Sequence, residues 1–220
     1  MKTIISIISI LTFAACNDIS KVYTVQLPPE SSKIVLTKLA DSLGTVSIEL
    51  PTRYDTSFFW THYSDCGKAC EKIKYRFQPK TLHITKESGW ISLGEPYDSI
   101  YRFTISHSGY TPLHDNDDTS FILKFHEREK ANLILCPDTY KIKADTVEKI
   151  GDRFFSVFTI DLYDTAKLQY SKKVLAASSI KGNIIHFKFE LLTKHSDSST
   201  KYFLNNSKYF LRRIRISNVK

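Results

Sequence analysis

The sequence predicts an α+β domain: a largely antiparallel sheet with one or two covering helices. Three observations lead there. Apolar and polar residues alternate with a period of two in six separate segments, the pattern of strands with one buried and one wet face. A stretch near the end changes to the helical period. Aromatic residues make up 13% of the 220 residues while Gly and Pro number only 7 each, so strand formers abound and disorder signals are scarce.

The strands can be read in order. Val46, Ile48 and Leu50 alternate with Thr45, Ser47 and Glu49. Ile73, Tyr75 and Phe77 alternate with Lys72, Lys74 and Arg76, and Tyr101, Phe103 and Ile105 alternate with Arg102 and Thr104. Phe121, Leu123 and Phe125 form a fourth set with Lys124 and His126 between and after them. Phe158, Ile160 and Leu162 share a face, and Ile185, Phe187, Phe189 and Leu191 alternate with His186, Lys188 and Glu190. Gly109, Gly151 and Lys181-Gly182-Asn183 mark turns. Lys33 to Leu43 is ambiguous between helix and strand.

Phe203, Leu204, Ser207, Phe210, Leu211 and Ile214 fit one face of a helix, which Ser196, Asp197 or Ser198 could cap. A short strand, Ile214–Ser217, follows. The ending of strand, helix and strand resembles that of Mog1/PsbP-like domains, a topological likeness over the last third of the chain. It implies a sandwich serving as a binding scaffold.

The first residues carry the clearest functional signal. Met1-Lys2 is a short positive region, Ile4 to Phe13 is mainly apolar, and Ala14-Ala15 precedes Cys16. This is the order of a secretory signal, and the apolar run is about half the ~20 residues a spanning helix needs. Thr12-Phe13-Ala14-Ala15-Cys16 resembles the bacterial lipobox, with Phe13 where Leu is usual. The resemblance implies lipid attachment at Cys16 and firm anchoring, since two or more acyl chains hold a protein where one is marginal. The expected organisation is therefore residues 1–15 as signal peptide, 16–33 as a lipidated tether rich in Pro and Ser, and 34–220 as one globular domain.

Three further thiols, Cys66, Cys70 and Cys136, are disulfide candidates, because exported proteins meet an oxidising compartment. Cys66–Cys70 needs a tight turn, which Gly67 eases, while Cys70–Cys136 would close a longer loop. The preferred arrangement bridges Cys66 to Cys70 and leaves Cys136 free in the core, after the apolar run Leu133-Ile134-Leu135. His62, Cys66, Cys70 and Cys136 could instead form a tetrahedral metal set. The Cys-x₃-Cys spacing is similar to that of copper-delivery proteins, but their flanking prolines are missing. Glu71 stands where haem attachment would need a His. The reading assigns no metal and no cofactor.

His114-Asp115-Asn116-Asp117-Asp118 has the first spacings of a calcium loop, with Ser120 and His126 where Gly and Glu are needed. A solvated turn is expected there. Phe58, Phe59, Trp60 and Tyr63, and Trp90 likewise, read as core and strand rim rather than as a binding surface. His83 and His186 read as surface or satisfied core. No nucleophile elbow, phosphate loop, His-Glu-x-x-His or kinase set occurs, so no catalytic residue is assigned.

The net charge is +8, and only Lys2 lies in residues 1–15, leaving +7 for the rest. The lysines are spread along the chain, which fits solvated strand faces, and export argues against nucleic acid as a partner. The expected function is a non-enzymatic binding or interaction domain, lipid-anchored at the bacterial cell envelope. Its partners would be the membrane, through the anchor, and an envelope protein or glycan. An envelope enzyme without a recognisable motif, and a metal carrier using Cys66 and Cys70, are the alternatives.

Overall fold

The computed structural model describes residues 28–64, 70–84, 97–108, 118–136 and 140–217. Among these residues ten strands and two helices follow in the order β1 (Ser32–Leu39), β2 (Gly44–Pro51), β3 (Thr56–His62), β4 (Lys72–Gln78), β5 (Ser99–Ser108), α1 (Asp118–Ile134), β6 (Ile142–Ile150), β7 (Arg153–Asp164), β8 (Gln169–Ile180), β9 (Asn183–Thr193), α2 (Ser198–Leu211) and β10 (Arg215–Ser217). The large sheet has the order β3-β4-β5-β9-β8-β7-β6 and the small one β1-β2-β10. Every pairing is antiparallel. The α+β class with a largely antiparallel sheet is the one the alternating segments predict.

Local chemistry explains the hairpins. Lys181 and Gly182 both have positive φ (49° and 78°) between the paired residues Ile180 and Asn183, the two-residue turn whose twist matches that of the strands. In the turn from β7 to β8 the Asp164 carboxylate accepts from the backbone N–H of Ala166 and Lys167, each at 3.0 Å. Asp197 caps α2 by accepting from the Thr200 N–H at 2.8 Å.

The main core lies on one face of the large sheet. Phe103, Ile105, Phe187, Phe189 and Val174 pack there against Val46, Ile48 and Leu50 of β2 and Phe203, Phe210 and Leu211 of α2. Each such buried side chain contributes roughly 1.5–3 kcal/mol. A smaller cluster of Leu133, Phe158 and Ile160 seats α1 on the opposite face, over β6, β7 and β8. β9, α2 and β10 follow in the expected order, with β10 pairing to β2 in the small sheet.

Several expectations are corrected. Phe121–Phe125 is helical: Ile122, Phe125, His126 and Leu133 are the buried positions of α1, while Leu123 is exposed. Five residues are too few to tell a strand alternation from a helical stripe. Lys33 to Leu43 resolves into strand β1 and a turn in which Asp41 and Ser42 take positive φ. Ser32 and Lys33, placed in the tether, belong to β1, where they pair with Pro51 and Leu50. Glu30, also placed in the tether, bonds Arg53. Cys136 is free but exposed, not in the core. The apolar run before it closes α1, so only Leu133 turns inward and Leu135 is 79% exposed.

Among the described residues no helix is long and apolar enough to cross a membrane.

Candidate functional site

The site follows from unequal coverage of the large sheet. α1 lies over β6 to β8, and beside it, among the described residues, the same face of β4, β5 and β9 lines a groove of about 440 Å³. The registers show which side chains line it. Lys74 lies opposite Ser106, Ser106 opposite His186, and His186 opposite Ala177. One row further along, Arg76, Thr104, Lys188, Leu175 and Phe158 face the same way. A period of two along β4 therefore sets Lys72, Lys74 and Arg76 in line. The Ser106 and Thr104 hydroxyls lie between this line and Lys188 of β9. Phe125 of α1, with Phe158 and Leu175 of the sheet, forms an apolar wall on the α1 side, which the Glu129 carboxylate interrupts.

The cations are held in place. The Arg76 guanidinium, only 1% exposed, donates through Nε to Thr104 Oγ1 at 3.4 Å and lies 4.9 Å over the Trp60 ring. Lys74 Nζ sits 5.6 Å over the same ring. Phe58 stacks on Trp60 at 5.4 Å. Lys188 Nζ donates to Glu190 at 3.3 Å.

Titration reflects this field. Burial works to raise the Glu190 carboxyl, yet Lys188, Lys173 and Arg102 hold it below its ordinary value. Burial, with a contribution from Lys72, pushes the His186 imidazole down to about 4, so it is neutral near pH 7. The Phe125 ring meets it edge-on at 5.7 Å.

A second constellation lies beneath the groove. His126 of α1 stacks on Phe158 at 4.6 Å, its Nδ1 is 2.9 Å from Ser156 Oγ, and its Nε2 is 3.6 Å from Asp145. Lys130 holds Asp145 at 2.6 Å. A serine, a histidine and a carboxylate thus meet, and Ser156 lines the groove. β7 is paired on both sides, with Ser156 opposite Val147 and Ala177. Its backbone N–H groups are engaged in the ladders, leaving none spare for a developing oxyanion.

The residues singled out in the sequence fall as follows. His62 and Cys70 both line the groove. Cys70 is disulfide-bonded, and Cys136 is free beyond the end of α1, which excludes the Cys70–Cys136 bridge. The Cys66–Cys70 pairing rests on Cys66, which lies outside the described residues, as do Cys16, Trp90, Gly109 and residues 114–117 of the acidic cluster. A bonded Cys70 supplies no thiolate to a metal. Among the described residues no three His, Cys, Asp or Glu side chains are grouped to hold a metal ion. The aromatic group divides: Trp60 is buried, while Phe59 and Tyr63 are 70% and 75% exposed. His186, read as surface or core, is a groove residue. Sequence reasoning missed the groove although its signal, Lys72, Lys74 and Arg76 alternating with apolar residues, was visible.

No family model and no curated protein matches the chain. Among solved structures, a Pseudomonas aeruginosa protein of unknown function is similar at 10% identity and a TM-score of 0.36, over 85% of this chain and 99% of that one. A Bacteroides thetaiotaomicron structure is similar at 11% identity and a TM-score of 0.37, over 79% of this chain and 45% of the other.

Proposed function

We propose that the chain is a lipid-anchored binding domain of the bacterial cell envelope that holds its ligand, part of an envelope protein or glycan, in the groove beside α1. The observation that carries this reading is the groove itself. At about 440 Å³ it has the size of a small-molecule site, and hydroxyls, cations and an apolar wall converge on it. The run ending in Ala14-Ala15-Cys16 supports the anchor. The strand–helix–strand ending is compatible with a Mog1/PsbP-like scaffold, and fold analogy assigns no ligand.

Site-specific photo-crosslinking in cells tests the reading. A crosslinker at Ser106 should capture a defined adduct that the same crosslinker at Ser217, on the small sheet, does not. Equal patterns at both positions would overturn it. Cys16→Ser should release the chain from the membrane fraction and abolish fatty-acid labelling.

The 2.9 Å approach of His126 to Ser156 favours one second reading, a serine hydrolase using the same groove. It requires that a fluorophosphonate probe label Ser156 and that His126→Ala prevent labelling. Absence of labelling on the folded chain sinks it.

A further inference from the structure

The two sheets do not end together. Phe59 lies opposite Tyr75, and Ser57 opposite the core residue Phe77, so Ser57 and Phe59 turn to the face on which the small sheet packs. Phe59 is nevertheless exposed. The small sheet ends at β1, and just past that strand the Ala40 N–H donates to the Tyr75 hydroxyl of β4 at 2.8 Å. β3 therefore projects past β1 by one strand, about 4.8 Å. The cleft left over it is about 520 Å³ beside residues 35–40 and continues for about 340 Å³ beside residues 33–36.

β1 meets this cleft as an edge, since among the described residues it pairs with β2 alone. The Thr52 N–H donates to the Ser31 carbonyl at 2.9 Å, and opposed residues of an antiparallel pair alternate between bonded and non-bonded. Lys33, Val35 and Thr37 therefore point their N–H and C=O groups at β2. Those of Ser32, Ile34, Leu36 and Lys38 point into the cleft. Ala40 is the next residue of that second series, and its bond to Tyr75 fits the same direction. The Ile34 and Leu36 side chains are exposed beside the cleft. Thr37, which lines it, is only 7% exposed, and its hydroxyl has no hydrogen-bond partner among the described residues. Natural edges are blunted by proline, a bulge, a covering element or charge, and β1 carries only the last, as Lys33 and Lys38. Neither lysine makes an ion pair among the described residues. The one carboxylate among the described residues lining the cleft, Asp55, accepts from the Lys80 N–H at 2.7 Å.

We infer that this cleft takes one extended segment of another polypeptide, which adds to β1 as a strand. Its backbone pairs with Ser32, Ile34, Leu36 and Lys38, and alternate apolar side chains rest on Phe59. Acidic residues at its ends meet Lys33 and Lys38. The shelf is one strand wide, which suits a lone segment. A second folded copy would bring its own β3 into the same space when the two β1 edges met. The site lies on the face of the large sheet opposite the groove beside α1 and is independent of what that groove binds.

Amide hydrogen exchange of the full chain carrying Cys16→Ser, read residue by residue by NMR, tests this. The probe is a synthetic peptide of alternating valine and threonine with a glutamate at each end. In the free chain the Ile34 and Leu36 amides should exchange at least about tenfold faster than those of Val35 and Thr37. Saturating peptide should slow Ile34 and Leu36 about tenfold or more and leave Val35 and Thr37 unchanged. The fully N-methylated peptide should bind at least about tenfold more weakly, because it donates no backbone hydrogen bond. Leu36→Pro removes an outward donor and no bond to β2, so it should weaken the peptide about tenfold. Phe59→Ala, at an exposed position that leaves the fold intact, should also weaken it. Equal binding of the N-methylated peptide, or no binding of either, would overturn the inference. Slow exchange at Ile34 and Leu36 in the free monomer would overturn it by showing that the chain's own residues fill the edge. Slow exchange that appears only with a concentration-dependent dimer, seen by analytical ultracentrifugation, would overturn it in favour of a second copy.

Discussion

His126 of α1 and Ser156 of β7 are hydrogen-bonded at 2.9 Å, and the same imidazole stacks on Phe158 with the rings 9° from parallel. This pair joins the helix that walls the groove to the middle of the large sheet. Removing the ring takes away the stack and leaves the buried Ser156 hydroxyl without this bond. His126→Ala is expected to destabilise the fold by about 2–4 kcal/mol. Urea unfolding checks it. A loss below about 0.5 kcal/mol would mean that α1 is seated without this contact.

The cap of α2 gives a second expectation. The Asp197 side chain accepts from the Thr200 N–H at 2.8 Å and satisfies one of the helix's orphan donors. Asp197→Ala should cost about 1 kcal/mol, and Asp197→Asn should restore most of it. Thermal unfolding of both variants distinguishes a cap from a general charge effect.

Stability should fall on mild acidification. Burial, aided by Lys72, lowers His186 to about 4, and burial lowers His107 from its ordinary value as well. The unfolded chain binds these protons near pH 6.5, while the folded chain resists them. Unfolding free energy should therefore decrease as pH drops from about 6.5 towards 4, before the carboxylates take over. The groups lining the groove around His186 are Lys72, Lys74, Arg76, His62 and Lys188 from the sheet and Glu129 from α1. His186→Gln should flatten the decline. An unchanged slope would show that His186 is not the titrating group.

Thiol chemistry separates the cysteines. Cys136 is exposed and free, so in the folded Cys16→Ser chain it should react at once with a disulfide reagent such as dithionitrobenzoate. Cys70 is bonded and should not react until a reductant is added. With a Cys66–Cys70 bridge, peptide mapping finds that pair and one free thiol per chain. Three free thiols would overturn the bridge. Cys136→Ser should change stability by less than about 0.5 kcal/mol, because the side chain is exposed.

Most of the strands that sequence reasoning recovered share one property. In β2, β4, β5 and β9 the face turned to the main core is lined by large apolar residues, as with Val46, Ile48 and Leu50 or Ile185, Phe187, Phe189 and Leu191. A period of two then appears directly in the residue types. β8 escaped because it is central and buried on both faces: Val174 and Ala176 face the main core while Leu175 and Ala177 line the α1 side. β6 escaped for the opposite reason, since it is an edge strand with mostly exposed and half-buried residues. α1 was mistaken because His126 and Glu129 interrupt its inward stripe, hiding the helical period.

Local periodicity, turn chemistry and capping are properties of a few neighbouring residues. For that reason the sequence by itself determined the antiparallel α+β class, the Lys181-Gly182 hairpin, the capped helix α2 and the lipobox-like approach to Cys16. The groove depends on partners far apart in the chain. Lys72–Arg76, Thr104–Ser106 and His186–Lys188 become neighbours only when β5 pairs with β9 across α1 and three intervening strands. Whether those cations face open solvent or line a walled cleft was decided by how much of the sheet α1 covers. That choice belongs to tertiary packing, because no local pattern records which face of a strand a distant helix will reach.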